Sequence, residues 1–115
     1  MAKTFKDKIA FITGGASGIG RETVFAFSGQ GAKVAICDIN EKNGTEVAEQ
    51  VNSRNGHAIF IKMNAANPVD VETAITKTIQ HFGKLDFALN NAGVGGAHSA
   101  THLYPEKNWV VYRKR

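Results

Sequence analysis

Short apolar runs alternate with amphipathic segments along this chain. The run at 33–38 is nearly continuous in apolar residues, as expected for a strand that is covered on both faces. Strands are predicted at about residues 8–12, 33–38, 58–63 and 85–90. Helices are predicted between them, at about residues 18–30, 40–55 and 67–82.

The residues at the ends of these segments favour helix boundaries. Asn40 and Asn67 are good N-cap residues, Pro68 suits a first helical position, and Gly83 suits a helix end. The third helix is predicted to bury one face, formed by Val71, Ile75, Thr78, Ile79 and Phe82.

The order of elements is strand and helix in strict alternation, beginning and ending with a strand. Right-handed crossovers of this kind build a parallel sheet with helices on both faces. The chain is therefore predicted to have an α/β fold, with three α/β/α layers and about four strands, which is half of a doubly wound parallel sheet. No linker or repeat interrupts the pattern, and residues 1–115 are expected to form one domain.

The composition of the chain bears on its cellular location and its partners. No apolar run approaches the roughly 20 residues that span a bilayer, so no membrane segment is expected. The only cysteine, Cys37, allows no internal disulfide, and the expected location is the cytoplasm. Three of the four net positive charges come from Arg113, Lys114 and Arg115. Because no basic stripe remains elsewhere, nucleic acid is not an expected partner.

The segment between the first strand and the first helix has the composition of an anion-binding turn. Positions 13–20 read Thr-Gly-Gly-Ala-Ser-Gly-Ile-Gly, and a helix N-terminus directs N–H groups and its positive dipole at an anion. Gly14 permits a sharp exit from the strand, Gly18 lets a pyrophosphate approach the backbone, and Gly20 lets the helix pack closely on the sheet. A nucleoside-triphosphate loop is excluded, because Arg21-Glu22 stand where Lys-Ser or Lys-Thr is needed.

Asp38 indicates which dinucleotide would bind if the glycine turn holds a dinucleotide pyrophosphate. It ends the second strand, 18 positions after Gly20, where an acid can accept hydrogen bonds from an adenosine ribose and repel a 2′-phosphate. No basic residue follows it directly, and the residue before Gly18 is the neutral Ser17, which favours NAD over NADP. The alternative is that Asp38 caps the next helix, a role that Asn40 can also fill.

A second small-residue segment follows the fourth strand. Asn90-Asn91-Ala92-Gly93 lies at the carboxyl edge of the predicted sheet, where ligands bind in such folds. Small residues there allow a cofactor ribose to approach the backbone, and an asparagine side chain can tie neighbouring strands together.

These three features, in this order and spacing, resemble the Rossmann-like short-chain dehydrogenase/reductase family from about residue 8 to about residue 109. The resemblance implies NAD as cofactor, with adenine flanked by the residues after the third strand. Asn64 is a departure there, because the family usually has an aspartate. The residues that the resemblance assigns to the cofactor are Gly14, Ser17, Gly18, Ile19, Gly20, Asp38, Asn64, Ala65, Asn90, Ala92 and Gly93.

The resemblance does not extend to catalysis. Family members are about twice as long and use a serine and a Tyr-x-x-x-Lys pair in their second half, and this sequence contains no Tyr-x-x-x-Lys. Tyr104 and Lys107 are only three positions apart. The sequence thus predicts the NAD(H)-binding portion of an oxidoreductase without catalytic residues, and the alternative is a non-catalytic dinucleotide-binding or interaction module. His98 and His102 are four positions apart, but small residues surround His98 as in a loop, so no metal site is expected.

The predicted fourth strand also implies a partner. Without a fifth strand beside it, its backbone N–H and C=O groups form an open edge next to Phe87 and Leu89, which invites pairing with another chain. A homodimer is therefore expected, either through this edge or through the segment near Trp109.

Overall fold

The structure is a computed structural model that describes residues 3–91. Four parallel strands form one sheet in the order β3-β2-β1-β4. Along the chain the elements are β1 (Ile9–Thr13), α1 (Gly18–Gly29), β2 (Lys33–Asp38), α2 (Glu41–Ser53), β3 (His57–Lys62), α3 (Pro68–Phe82) and β4 (Phe87–Asn90). The predicted α/β fold with alternating elements is confirmed.

The sheet is covered on both faces, as the apolar runs require. Every residue of β1 is buried, and β2 is buried along its four central positions. On one face, α1 and α2 cover a cluster that includes Ile12, Val24 and Val51. On the other face, Phe11 and Ala35 pack in a cluster with residues of α3. These are the three layers predicted from the sequence.

The predicted apolar face of α3 needs one correction. Ala74 and Thr78 are the buried centre of this face, and Thr78 satisfies its hydroxyl by donating to the Ala74 carbonyl over 2.8 Å. The prediction that Ile79 shares the buried face is wrong, since Ile79 is 39% exposed. At 3.6 residues per turn, Ile79 lies about 80° around the helix from Val71, beyond the edge of the contact with the sheet.

Two helices begin with asparagine caps, as predicted. Asn40 accepts a hydrogen bond from Asn43 N–H at 3.0 Å, and Asn67 accepts one from Val69 N–H at 2.9 Å. Gly83 ends α3 in a left-handed conformation with φ 93°. An asparagine N-cap such as Asn40 or Asn67 stabilises a helix by on the order of 1 kcal/mol. Both helices are therefore fixed locally at their amino ends.

The amino end of the β1–β4 pair is held by a side chain. Ile9 N–H donates to the Asp86 carboxylate at 2.9 Å, while Asp86 N–H donates to the Ile9 carbonyl at 3.0 Å. Lys84 Nζ lies 3.2 Å from the same carboxylate, whose side chain is only 13% exposed. β4 begins at Phe87, two residues later than predicted, because a side chain is the acceptor for Ile9 at this position.

The surroundings of Asp86 in the folded protein favour its charged form. Burial raises the pKa of Asp86, but the hydrogen bond from Ile9 and the Lys84 ammonium together lower it by more, so the net pKa is below the usual range. A carboxyl whose pKa is lowered by folding stabilises the folded state above its unfolded pKa, and that contribution is lost as the pH falls through the folded pKa.

We therefore expect Asp86→Asn to lower the free energy of unfolding at pH 7 by about 1 to 2 kcal/mol, because a charged acceptor is replaced by a neutral one. The difference from wild type should shrink below about pH 4, as the wild-type carboxyl becomes protonated. Urea unfolding followed by circular dichroism between pH 7 and pH 3 measures both effects. Glu22→Gln is the control, since the Glu22 side chain is 79% exposed. A difference for Asp86→Asn that is independent of pH would contradict the assignment.

Candidate cofactor-binding site

The turn between β1 and α1 has the backbone shape that its glycines suggest. Gly14 and Gly18 adopt left-handed conformations, with φ 65° and 56°. Gly14 N–H donates to the Cys37 carbonyl at 2.8 Å, so the turn is held against the end of β2. Apart from its chain neighbours and the nearby backbone of α1, no atom of residues 3–91 lies within 4 Å of a Cβ placed on Gly18. Within this part of the chain, the backbone at Gly18 faces open space, where a ligand can approach.

Two other glycines of the turn are required by close packing. A Cβ on Gly20 would overlap the carbonyl oxygen of Gly14, so the first turn of α1 rests on the glycine turn itself. A Cβ on Gly15 would lie 2.9 Å from Ile36 Cγ2 and 3.2 Å from Val24 Cγ2. Sequence reasoning missed Gly15, because no local signal reveals that a strand residue and a helix residue meet above it.

The amino end of α1 differs from those of α2 and α3. Ser17 occupies the N-cap position in an extended conformation, with φ −157° and ψ 166°, and its side chain makes no cap hydrogen bond. The first turn of α1 contains no acidic residue, whereas α2 has Glu41 and α3 has Asp70 there. The first N–H groups of a helix have no partner within the helix. At α1 they combine with the helix dipole to favour a bound anion.

Asp38 lies beside this turn, half-buried at the end of β2. Its Oδ2 atom accepts a hydrogen bond from Ala16 N–H at 3.1 Å, and its Oδ1 atom accepts one from Asn40 N–H at 2.9 Å. The N-cap of α2 is Asn40, so capping of that helix does not need the Asp38 side chain. The adjacent Cys37 is fully buried, and burial, followed by the charge of Asp38, raises the pKa of its thiol, which stays protonated.

The residues after β3 reach the same edge of the sheet. Asn64 is exposed, and its Oδ1 atom accepts a hydrogen bond from Ala66 N–H at 2.9 Å. Its own N–H donates to Asp70 Oδ2 at 3.1 Å, which fixes this loop to the start of α3. An amide oxygen can accept a second hydrogen bond. Ala65 is half-buried against the cluster under α3.

Asn90 ties the carboxyl ends of two strands together. Its side chain is 1% exposed, and its Oδ1 atom accepts a hydrogen bond from Thr13 Oγ1 at 2.7 Å. Asn91 N–H donates to the Thr13 carbonyl at 3.2 Å and continues the pairing. The structure thus gives Asn90 the strand-linking role that the sequence analysis considered. Its assignment to the cofactor stays a prediction.

Several predicted features fall outside the described residues. These are Ala92 and Gly93 of the cofactor assignment, His98 and His102, Tyr104 and Lys107, Trp109 and the basic end at 113–115. Within residues 3–91, no group of three or more His, Cys, Asp or Glu side chains is arranged to hold a metal ion. No helix in the same range is long and apolar enough to cross a membrane.

Exposed aliphatic side chains mark the same edge of the sheet. Ile19, Ile39 and Val69 are 64%, 64% and 70% exposed. Ile19 and Val69 lie in the first turns of α1 and α3, and Ile39 follows β2 directly, so topology brings all three to the carboxyl edge. Sequence analysis singled out Ile19 alone. The signal for Ile39 was available, since an apolar residue follows a strand end where the chain turns to solvent.

Comparison with known proteins agrees with this architecture. The family model for short chain dehydrogenases matches residues 8–112. The chain belongs to the short chain dehydrogenase family. It is 44% identical over 90 residues to an uncharacterized oxidoreductase of Thermotoga maritima, covering 78% of this chain and 35% of that protein. It is 35% identical over 109 residues to cyclohexanol dehydrogenase of an Acinetobacter species, covering 95% of this chain and 43% of that protein.

A solved structure shows the same fold. Hydroxysteroid dehydrogenase from Escherichia coli superposes with a TM-score of 0.77 at 32% identity, covering 80% of this chain and 39% of that one. The chain therefore spans less than half the length of these relatives and corresponds to their amino-terminal portion. Members of the family typically bind NAD or NADP.

We expect Gly20→Ala to lower the free energy of unfolding by about 2 kcal/mol or more, because the added methyl group would overlap the backbone carbonyl of Gly14, so the backbone must shift. Gly29→Ala is the matched control: Gly29 ends α1, and apart from its chain neighbours and the nearby backbone of α1, no atom of residues 3–91 lies within 4 Å of a Cβ placed there. That substitution should be neutral or stabilising by up to about 1 kcal/mol. Thermal and urea unfolding of both variants measure the difference, and equal stabilities would contradict the close contact.

Proposed function

We propose that this chain is the NAD-binding portion of a short-chain dehydrogenase/reductase, within a single domain of Rossmann type. The observation that supports the proposal best is a juxtaposition of two features. The amino end of α1 is open to an anion at Gly18, and the carboxylate of Asp38 lies against the same turn, bonded to Ala16 N–H at 3.1 Å. A dinucleotide needs both features, one for its pyrophosphate and the other for its adenosine ribose.

In this proposal the pyrophosphate binds at the first turn of α1. The N–H groups of Gly18, Ile19 and Gly20 lie where a helix has unpaired donors, and Gly14 and Ser17 shape the approach to them. The left-handed Gly18 leaves room for phosphate oxygens that a side chain would occupy.

The adenosine half binds beyond the end of β2. Asp38 accepts hydrogen bonds from the ribose hydroxyls and repels a 2′-phosphate, which selects NAD over NADP. Ile39 offers an exposed aliphatic surface next to the adenine, with Asn64 and Ala65 on the side of β3. We also propose, from the sequence, that the small residues Ala92 and Gly93 after Asn90 allow a cofactor ribose to approach the backbone.

The reaction of the whole family member is hydride transfer between NAD(H) and an alcohol or carbonyl compound. This chain has no Tyr-x-x-x-Lys, so we propose that it binds the cofactor and carries none of the catalytic side chains itself. We also infer a cytoplasmic location, because its one cysteine is buried and unpaired.

NAD should bind to the chain, and NADP should bind at least tenfold more weakly. Asp38→Ala should lower the affinity for NAD about tenfold or more, because a charged acceptor is worth about 1.5 to 3 kcal/mol. The same change should narrow the preference for NAD over NADP, because the repulsion of the 2′-phosphate is lost. Isothermal titration calorimetry measures the four affinities, with the exposed Glu49→Ala on α2 as the control. No heat with NAD would remove the proposed function, and equal binding by Asp38→Ala would remove the ribose assignment.

We further propose that the chain forms a homodimer. Within the described region β4 pairs with β1 alone, so residues 87–89 have no second strand partner among residues 3–91. Phe87 and Leu89 are only half-buried on this strand. Edges of this kind pair with a second copy unless they are covered.

Size-exclusion chromatography with light scattering should therefore give the mass of two chains. Leu89→Gln should shift the mass toward one chain, because a polar amide replaces an apolar side chain at the proposed contact. Ile79→Gln removes an exposed aliphatic side chain on α3 and should leave the mass unchanged. Circular dichroism checks that both variants are folded, and a monomer at high concentration would refute the dimer.

A further inference from the structure

We propose that Asp38 is a positioning residue for the glycine turn, in addition to its proposed contact with ribose. Its carboxylate holds the turn in the shape that binds the pyrophosphate. One side chain therefore affects the binding of both the pyrophosphate and the ribose. The effect on ligand affinity rests on the proposed function, whereas the effect on the turn concerns the ligand-free protein.

Asp38 connects three segments at the carboxyl edge of the sheet. Its Oδ2 atom accepts from Ala16 N–H at 3.1 Å, in the glycine turn. Its Oδ1 atom accepts from Asn40 N–H at 2.9 Å, in the connection to α2. Its backbone carbonyl accepts from Met63 N–H at 3.0 Å, after β3. A change at this side chain therefore removes one acceptor from the turn and one from the connection to α2.

The glycine turn depends on acceptors from β2. Gly14 N–H and Gly15 N–H both point to the Cys37 carbonyl, at 2.8 and 3.4 Å, and Ala16 N–H is the next donor along the chain. Ala16 is only 4% exposed, so water is a poor substitute for the carboxylate. The turn is also rich in glycine, which loses more conformational freedom on ordering than any other residue. The Asp38 carboxylate is thus the side-chain contact that fixes the last residue before Ser17 and α1.

Bracing the turn and binding ribose are compatible on one carboxylate. A carboxylate has about four acceptor sites, and the two backbone N–H groups occupy two of them. Ribose hydroxyls can donate to the others without releasing Ala16. The hydrogen bond from Ala16 N–H to Asp38 should therefore contribute to the binding of any ligand with a pyrophosphate, including one that has no ribose hydroxyls.

The test compares ADP with 2′,3′-dideoxy-ADP on the wild type and on Asp38→Asn. Both ligands carry the pyrophosphate, and only ADP can donate ribose hydroxyls to the carboxylate. We expect Asp38→Asn to lower the affinity for ADP at least tenfold and the affinity for dideoxy-ADP at least threefold. Removing a negative charge would by itself favour an anion, so a loss with dideoxy-ADP reports the turn. Equal or tighter binding of dideoxy-ADP by Asp38→Asn would overturn the proposal.

Amide hydrogen exchange of the ligand-free protein gives an independent readout. The Ala16 amide should be protected in the wild type and should exchange at least tenfold faster in Asp38→Asn. The Phe11 and Val34 amides in the core of the sheet serve as internal controls for folding. If the variant does not fold, hydrogen exchange of the wild type still tests the proposal, because an unprotected Ala16 amide would overturn it. A wild type that protects the Ala16 amide and binds neither NAD nor ADP would refute the proposed function. That result would still support the positioning of the glycine turn by Asp38.

Discussion

The position of α1 depends on the contact between Gly20 and the carbonyl oxygen of Gly14. Because Gly20 has no side chain, the first turn of the helix rests directly on the turn that leaves β1. This contact determines where the helix dipole and its free N–H groups point. β1 is buried at every position, so it gives the turn a rigid base. The candidate site is thus an outcome of packing in the centre of the sheet, rather than of a loop that acquires its shape alone.

The β1–β4 pair extends this rigid base to the other side of the site. The pair is only four residues long, and each end is secured by a side chain. At the amino end Asp86 accepts from Ile9 N–H, and at the carboxyl end Thr13 donates to Asn90. A one-residue shift of register would break both hydrogen bonds and turn every side chain of β4 to the opposite face. These two polar contacts therefore determine the register in which β4 ends at the carboxyl edge of the sheet.

The order of elements could be predicted from sequence because its signals are local. Glycine, asparagine and proline mark the ends of helices, and the apolar runs between them have the length of strands. The spacing of the glycine turn, Asp38 and Asn90 indicated the family for the same reason. Contacts between distant segments could not be predicted from the sequence. These are the close packing of Ile36 and Val24 on Gly15, the hydrogen bond from Ala16 N–H to Asp38, and the hydrogen bond from Ile9 N–H to Asp86. The error at Ile79 is similar, since spacing alone does not show how wide a helix face the sheet covers.

The hydrogen bond between Asp38 and Ala16 has a consequence for protein engineering. Under the proposed function, in which Asp38 selects NAD, a redesign toward NADP would replace this acid with a neutral or basic residue to admit the 2′-phosphate. Such a replacement would also remove the acceptor for a buried amide in the neighbouring turn. If Asp38 also positions the glycine turn as proposed, the variant would gain affinity for NADP through the 2′-phosphate and lose part of it through weaker binding of the pyrophosphate. Any such design needs a compensating acceptor near position 16, so that cofactor choice is separated from loop geometry.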